Sequence, residues 1–455
     1  MSGSQQKNRR EPHGQQFLWD ICRSEPFAAA LSTENPTGED QLLEKILEGG
    51  NLRRALKQVR RNKGAPGVDG MTVYQLEGFL RRHWPEVKTA ILEGRYKPLP
   101  VRRKEIEKPD GGVRLLGIPA CLDRCVQQAA AQVLSELWEP LFSDSSFGFR
   151  PGRSQREAIM RAQEYARAGY RFVVDFDLSK FFDRVNHDRL LSRLATRVKD
   201  RRVLKLVRAF LESGVMVGGL TEATEEGVPQ GGPLSPVLSN VVLDELDHEL
   251  EKRGLRFVRY ADDIAIYVRS KQAGDRVMAS VTRFVTTRMR LKVNAEKSGV
   301  SRPWSSKLLG LTFTNSVHEP QIRLHWKTVK RFKDRVREMT QRSCGRSMEH
   351  VITELTAYLR GWWNYFSLIE SKNRLDRLDV WIRRRLRAMV WKQWKRPKTR
   401  IAELIRRGIH PDDAGPVGAS RKGPWRLSKV KWVVFALSED YFASLGLVIP
   451  WTSNA

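Results

Sequence analysis

Residues Arg256 to Arg269, RFVRYADDIAIYVR, set two adjacent carboxylates, Asp262 and Asp263, between runs of Val, Ile, Tyr and Phe. Such runs favour β-strands and Asp is a common turn residue, so the stretch predicts two short strands joined by a tight turn. A solvated hairpin tip is one reading of the aspartate pair. The other is chemical. Neighbouring carboxylates beside an apolar flank repel each other and resist desolvation, and a divalent cation with oxygen ligands removes that cost. The rest of the chain has to decide.

A second acidic strand end precedes the hairpin in Phe172 to Phe182, FVVDFDLSKFF. Alternation puts Asp175 and Asp177 on one face of a strand. With Asp177 beside Asp262 and Asp263 across a sheet, the three carboxylates would form a site able to hold two Mg²⁺ ions roughly 4 Å apart. Such a pair activates a 3′-hydroxyl and holds a triphosphate, which is phosphoryl-transfer chemistry. Val101 to Pro119, VRRKEIEKPDGGVRLLGIP, reads as a hairpin carrying Arg102, Arg103, Lys104, Lys108 and Arg114, cations suited to a triphosphate or to a salt-bridged surface. Gly227 to Leu250 starts as the loop GVPQGGPLSP and becomes a helix, with Pro236 in its first turn and Leu238, Val242, Leu246 and Leu250 as its apolar stripe. Gln41 to Arg61 reads as two helices with a turn at Gly49-Gly50-Asn51, and SFGFRPGRS (Ser146 to Ser154) as a rigid basic loop.

Charge says what the chain meets. Its formal net charge is +29 with a pI near 10.3, which points to a polyanion, nucleic acid before an anionic membrane surface. His325 to Lys431 holds 28 Lys and Arg against 10 Asp and Glu, interleaved with Trp326, Trp362, Trp363, Trp381, Trp391, Trp394 and Trp425. Arg383, Arg384, Arg385, Lys392, Lys395 and Arg396 are the expected nucleic-acid contacts in that span. No apolar run approaches the roughly 18 residues of a spanning helix, so a cytoplasmic protein with no membrane partner is expected. Cys22, Cys121, Cys125 and Cys344 lack the spacing of a disulfide framework or zinc site and read as core residues. Oxygen-only ligation favours Mg²⁺, with Mn²⁺ as a substitute.

RYADDIAIYV resembles the signature of reverse transcriptases. NLRRALKQVRRNKGAPGVDGMT, RLLGIPACLDRCVQ, SFGFRPGRS, DFDLSKFFDRVNHDRLL, EGVPQGGPLSPVLSNVVLDELD, LKVNAEKS and LLGLTF follow in the order of that family's blocks, and the basic continuation, with YLRGWWNYF and KGPWRLS, resembles its thumb and maturase region. The resemblance is to group II intron-encoded proteins. It implies an α+β right-hand polymerase: an N-terminal extension over 1–40, fingers and palm (antiparallel sheet plus helices) over 41–320, a helical thumb/maturase domain over 321–400 and a maturase tail over 401–455. It makes Asp177, Asp262 and Asp263 the catalytic metal ligands, joined by the Leu178 carbonyl. Phe182 becomes an aromatic gate against a ribose 2′-hydroxyl, Gln230 a nucleotide contact, Lys108 and Arg114 phosphate contacts, and Lys297 an aid to the leaving phosphate. Asp175 is the more structural acid. The implied partners are an RNA template, a DNA primer, dNTPs and a cognate group II intron RNA. The implied activity is RNA-directed DNA synthesis with intron splicing, of the type lacking an endonuclease. A reverse transcriptase domesticated for phage defence or CRISPR adaptation is the alternative.

Overall fold

A computed structural model describes residues 41–107, 112–217, 220–222, 226–228, 231–316, 318–343 and 345–452. Two compact units emerge. The first comprises described residues up to Ala162 together with Phe172–Val300, and the second Gln163–Arg171 with the described residues from Ser301 onward. Cys22, Cys344, Lys108 and Gln230 lie outside the described residues, as do the N-terminal extension over 1–40 and the side chain of Arg114.

The first unit opens with α1 (Leu42–Ile46), α2 (Gly49–Arg61) and α3 (Leu76–Leu92). The two-helix reading of this region holds, but the break sits at Leu47 and Glu48, and the glycines open α2. Asn51 explains why. Its side chain is buried and donates to the Ile46 carbonyl at 2.8 Å and the Ala129 carbonyl at 3.0 Å, anchoring α2 on its neighbours. The cationic hairpin forms as expected from β1 (Val101–Glu107) and β2 (Val113–Ile118), antiparallel with Arg102 opposite Ile118. The central helix α4 (Cys121–Trp138) buries Cys121, Cys125, Val126, Ala130, Val133 and Leu134, so these two cysteines are core residues.

After α5 (Gln155–Arg167) comes β3 (Phe172–Phe176), then α6 (His187–Ala195), capped by the Asn186 side chain, and α7 (Arg201–Leu211), capped by Asp200. Short strands β4 (Val215–Val217) and β5 (Leu220–Glu222) complete a sheet of order β2-β1-β4-β5. The helix α8 (Ser235–Lys252) has Pro236 in its first turn, as read from sequence. It buries more than one stripe, because Asn240, Asp244 and Asp247 are inside as well as Leu238, Leu246 and Leu250. The hairpin β6 (Arg256–Tyr260) and β7 (Asp263–Val268) follows, then α9 (Lys271–Arg283) and β8 (Gly299–Ser301). The second sheet runs β6-β7-β3-β8, with β7 antiparallel to both β6 and β3. Val174, Phe257, Ile264 and Ile266 close its apolar side.

The second unit has one small sheet, β9 (Leu311–Phe313) with β10 (Ile322–Leu324), and is otherwise helical: α10 (Trp326–Met339), α11 (Met348–Phe366), α12 (Asn373–Gln393), α13 (Pro397–Arg406) and shorter helices beyond. Its tryptophans are largely structural. Trp362 packs on Phe332 at 4.6 Å, on Phe366 at 4.7 Å and on Trp451 at 5.5 Å between ring centres, while Trp391 is fully buried. Among the described residues, no helix is long and apolar enough to cross a membrane.

Candidate active site

The Asp262-Asp263 turn is a two-residue hairpin loop. Tyr260 pairs with Asp263 across β6 and β7, leaving Ala261 and Asp262 to make the turn, and Ala261 takes the left-handed region at φ 57°. A side chain beyond Gly is uncommon there. What holds it is buried. The Arg259 guanidinium, with no exposure at all, pairs with Asp247 at 2.5 Å and donates to the Asn240 side-chain carbonyl at 2.9 Å and the Ala261 carbonyl at 3.1 Å. Asn240 in turn donates to the Gly148 carbonyl at 2.8 Å. A Cβ on Gly148 would collide with the Ala261 amide, so the SFGFRPGRS loop lies directly on the turn. Sequence reasoning missed Arg259, Asn240 and Asp247. An arginine inside the apolar run FVRY was the one available signal.

Register supplies the second half of the site. In the β3–β7 ladder Asp175 faces Ala265 and Phe176 faces Ile264. Continuing that register one step sets Asp177 opposite Asp263, on the face that Asp175 shares. Like charges directly opposite across a sheet destabilise it. The chain beyond β3 is fixed from its other side: the Asn294 amide donates to the Asp177 carbonyl at 2.9 Å, the Asp177 amide to the Ser298 hydroxyl at 2.9 Å, and the Ser179 amide to the Lys292 carbonyl at 2.8 Å. Asn294 and Ser298 belong to LKVNAEKS and bracket Lys297, which is exposed. Leu178 makes a bridge with Val293 that uses the Asp177 carbonyl and the Ser179 amide, so the Leu178 carbonyl turns away from Val293.

The expected three-carboxylate cluster is not closed. Backbone register brings Asp177 and Asp263 opposite each other beside Asp262, yet among the described residues no group of three or more His, Cys, Asp or Glu side chains is close enough to hold a metal ion. The chemistry of the donors does fit a divalent cation, being carboxylate oxygens only, half-buried at Asp177 and Asp262 and exposed at Asp263.

Phe182 sits in the 3₁₀ turn Phe181–Arg184, half-buried, with its ring 5.3 Å from that of Phe181. Its carbonyl accepts from the Val228 amide at 2.6 Å, tying it to the start of the GVPQGG loop. A Cβ on Gly227, at φ 100°, would press on the Phe182 carbonyl at 3.0 Å, so glycine is needed at this approach. On the cationic hairpin, Arg103 pairs with Glu222 at 3.3 Å, while Lys104 is exposed and Arg102 half-buried.

The arginine tract of α12 departs from expectation. Successive helical residues point about 100° apart, and the three arginines go to different partners. Arg383 is buried, pairing with Asp379 at 2.7 Å and Glu439 at 3.3 Å. Arg384 lies over the Trp425 ring at 3.9 Å. Arg385 donates to the Thr340 hydroxyl at 2.6 Å, and burial, with Arg337 and Arg342 nearby, lowers its pKa. Arg383, Arg384 and Arg385 therefore knit helices together instead of offering one RNA-binding face. Lys392, Lys395 and Arg396, at the end of α12 and beyond it, are exposed.

Comparison with known proteins agrees with this anatomy. Residues 106–313 match the family described as reverse transcriptase (RNA-dependent DNA polymerase), and residues 329–408 match the group II intron, maturase-specific domain. The fold and its blocks thus define a reverse transcriptase domain followed by a maturase domain. Over these two stretches the chain is similar to group II intron reverse transcriptase/maturases. It is 37% identical over 235 residues to protein YkfC of Escherichia coli, an overlap of 50% of this chain and 62% of that one. It is 34% identical over 206 residues to the group II intron-encoded protein LtrA of Lactococcus lactis, covering 45% of this chain and 34% of LtrA. The chain thus matches less than two thirds of the length of these relatives. A telomerase structure from Candida albicans aligns over 64% of this chain and 59% of its own at 15% identity, with a TM-score of 0.42.

Proposed function

We propose that this protein is an RNA-directed DNA polymerase that also binds a cognate group II intron RNA and promotes its splicing. The observation that carries the polymerase reading is the β3–β7 register, which runs Asp177 into line with Asp263 beside Asp262. In the reaction a primer 3′-oxygen bonds to the α-phosphorus of a dNTP while the bond to pyrophosphate breaks. Asp177, Asp262 and Asp263, with the Leu178 carbonyl, would hold two Mg²⁺ ions, or Mn²⁺ in their place, which supply activation of the 3′-hydroxyl and neutralisation of phosphate charge. Phe182 acts as an aromatic gate against a ribose 2′-hydroxyl, selecting deoxynucleotides. Gln230 grips the nascent base pair from the GVPQGG loop. Lys108 and Arg114 draw in the triphosphate, and Lys297, carried by the loop that holds Asp177, assists the leaving phosphate. Lys392, Lys395 and Arg396 contact RNA phosphates.

The test is Asp262→Asn on a primed RNA template. Incorporation should fall below detection, while RNA affinity and the splicing of the cognate intron persist, because neither needs the carboxylate. Incorporation at the wild-type rate would overturn the assignment of the aspartates.

A further inference from the structure

One exposed aromatic stands at the catalytic turn with no role in the reading above. Phe149 is 53% exposed although it is large and apolar, and its backbone lies in the left-handed region at φ 58°. A bulky side chain is strained in that conformation, so its surroundings must impose it. They do. The preceding carbonyl, Gly148, accepts from buried Asn240 at 2.8 Å. The following side chain, Arg150, is buried and donates to Glu139 at 2.8 Å and to the Ser146 carbonyl at 2.7 Å. The loop is also stitched to β6, with the Phe147 amide donating to the Arg259 carbonyl at 2.9 Å and the Arg259 amide to the Ser145 carbonyl at 2.8 Å. Arg259 continues to the Ala261 carbonyl in the turn at 3.1 Å. Phe149 is thus fixed on the same buried network that fixes Asp262, and its ring centre lies 6.4 Å from that of Tyr260, at 45°.

We infer that Phe149, together with Tyr260, forms an apolar platform for the primer–template duplex, contacting the nucleotides next to the primer's 3′ end. This rests on the polymerase reading, since a 3′-oxygen brought to Asp262 and Asp263 carries its neighbouring nucleotides past the residues around the turn. The ligand class follows from the surface. The arginines of this loop do not offer charge, because Arg150 pairs with Glu139 and Arg153 with Asp144. What remains outward is a ring face, which suits a base or sugar and is tolerant of sequence.

The backbone conformation supplies a discriminating variant. Phe149→Gly relieves the left-handed strain, so it should leave the unfolding midpoint unchanged or raise it. The same variant should weaken binding of a primer–template duplex roughly tenfold, the scale of a single base–aromatic stack. Binding is read by fluorescence anisotropy in an Asp262→Asn background, and in the active protein the effect should appear in the KM for duplex far more than in kcat. Phe149→Trp and Phe149→Tyr should restore affinity. Unchanged duplex affinity in Phe149→Gly would overturn the proposal, as would a lower unfolding midpoint with no rescue by Trp or Tyr, which would make the ring a packing element. Because duplex binding is measured without turnover, a failure of the polymerase reading shows separately, as absent incorporation by the wild-type protein.

Discussion

Arg259 and Arg383 occupy the same chemical situation in different units, and neither is a surface charge. Each is a buried guanidinium held by a carboxylate, Asp247 in one case and Asp379 in the other. Removing one member of such a pair strands the other in a low-dielectric interior, a loss of about 3–5 kcal/mol. Arg383→Gln should therefore lower the unfolding free energy by an amount near the bottom of that range, since Glu439 and Asp379 retain some access to water. Lys392→Gln, Lys395→Gln and Arg396→Gln together should leave stability within about 0.5 kcal/mol. The triple change should weaken RNA binding and flatten its dependence on salt, by up to about one unit of slope for each phosphate no longer neutralised. Chemical denaturation and RNA titrations at several salt concentrations separate the two sets. A flattened salt slope in Arg383→Gln, with stability intact, would put that arginine on the RNA after all. The residue scale is also where the sequence was least legible. A run of three arginines reads as basic surface whatever its partners, and only the fold shows that Thr340, Trp425 and Glu439 lie within reach of it. The turn carrying Asp262 and Asp263 was legible because aspartates interrupting a β-rich run mark the junction of two strands.

At the scale of elements, the hairpins and capped helices follow from local chemistry. The β6–β7 hairpin, the cationic β1–β2 hairpin and the proline-started α8 all fall where strand composition and first-turn proline put them. The break before α2 lies earlier than the glycines suggest because a buried Asn51, invisible to periodicity, outweighs them. The central helix α4 hides a similar surprise in Asp123. It is 2% exposed, accepts from the Tyr96 hydroxyl at 2.5 Å and the Leu99 amide at 3.1 Å, and burial pushes its pKa up to about 7. A carboxyl whose folded pKa lies above its unfolded value near 3.8 keeps its proton in the folded state while the unfolded chain releases it. The contribution of Asp123 to stability therefore declines as pH rises from about 4 to about 7 and is level beyond. Asp123→Asn should abolish that slope, so its unfolding midpoint should gain on the wild-type protein between about pH 5 and pH 7 and keep a constant margin above. Parallel midpoints across that range would show that the carboxyl is ionised in the fold. His325 has the opposite sign: burial lowers its pKa to about 4, and its ring nitrogen accepts from the Lys327 amide at the start of α10. Its share of stability is intact above about 6.5 and fades as pH falls toward 4.

Over the whole molecule, a formal charge of +29 sits on a chain whose individual arginines are often paired inside it. Charge density points to a polyanionic partner, the same kind of partner that the matches to reverse transcriptase and maturase models support as a proposal. It could not say which cations face that partner. The candidate site has the same character. Strand alternation and the order of blocks single out Asp177, Asp262 and Asp263 as candidates, while the turn's support by Arg259, Asn240 and Gly148 comes from segments far apart in sequence and needs the fold to be seen. Whether those carboxylates act as one metal site is best asked of the metal. Binding of Mn²⁺, read by electron paramagnetic resonance, should be clear in the wild-type protein, lost in Asp177→Asn and in Asp263→Asn, and retained in Asp175→Asn, which shares their face of the sheet but lies opposite Ala265. Wild-type Mn²⁺ binding by Asp177→Asn would contradict the account.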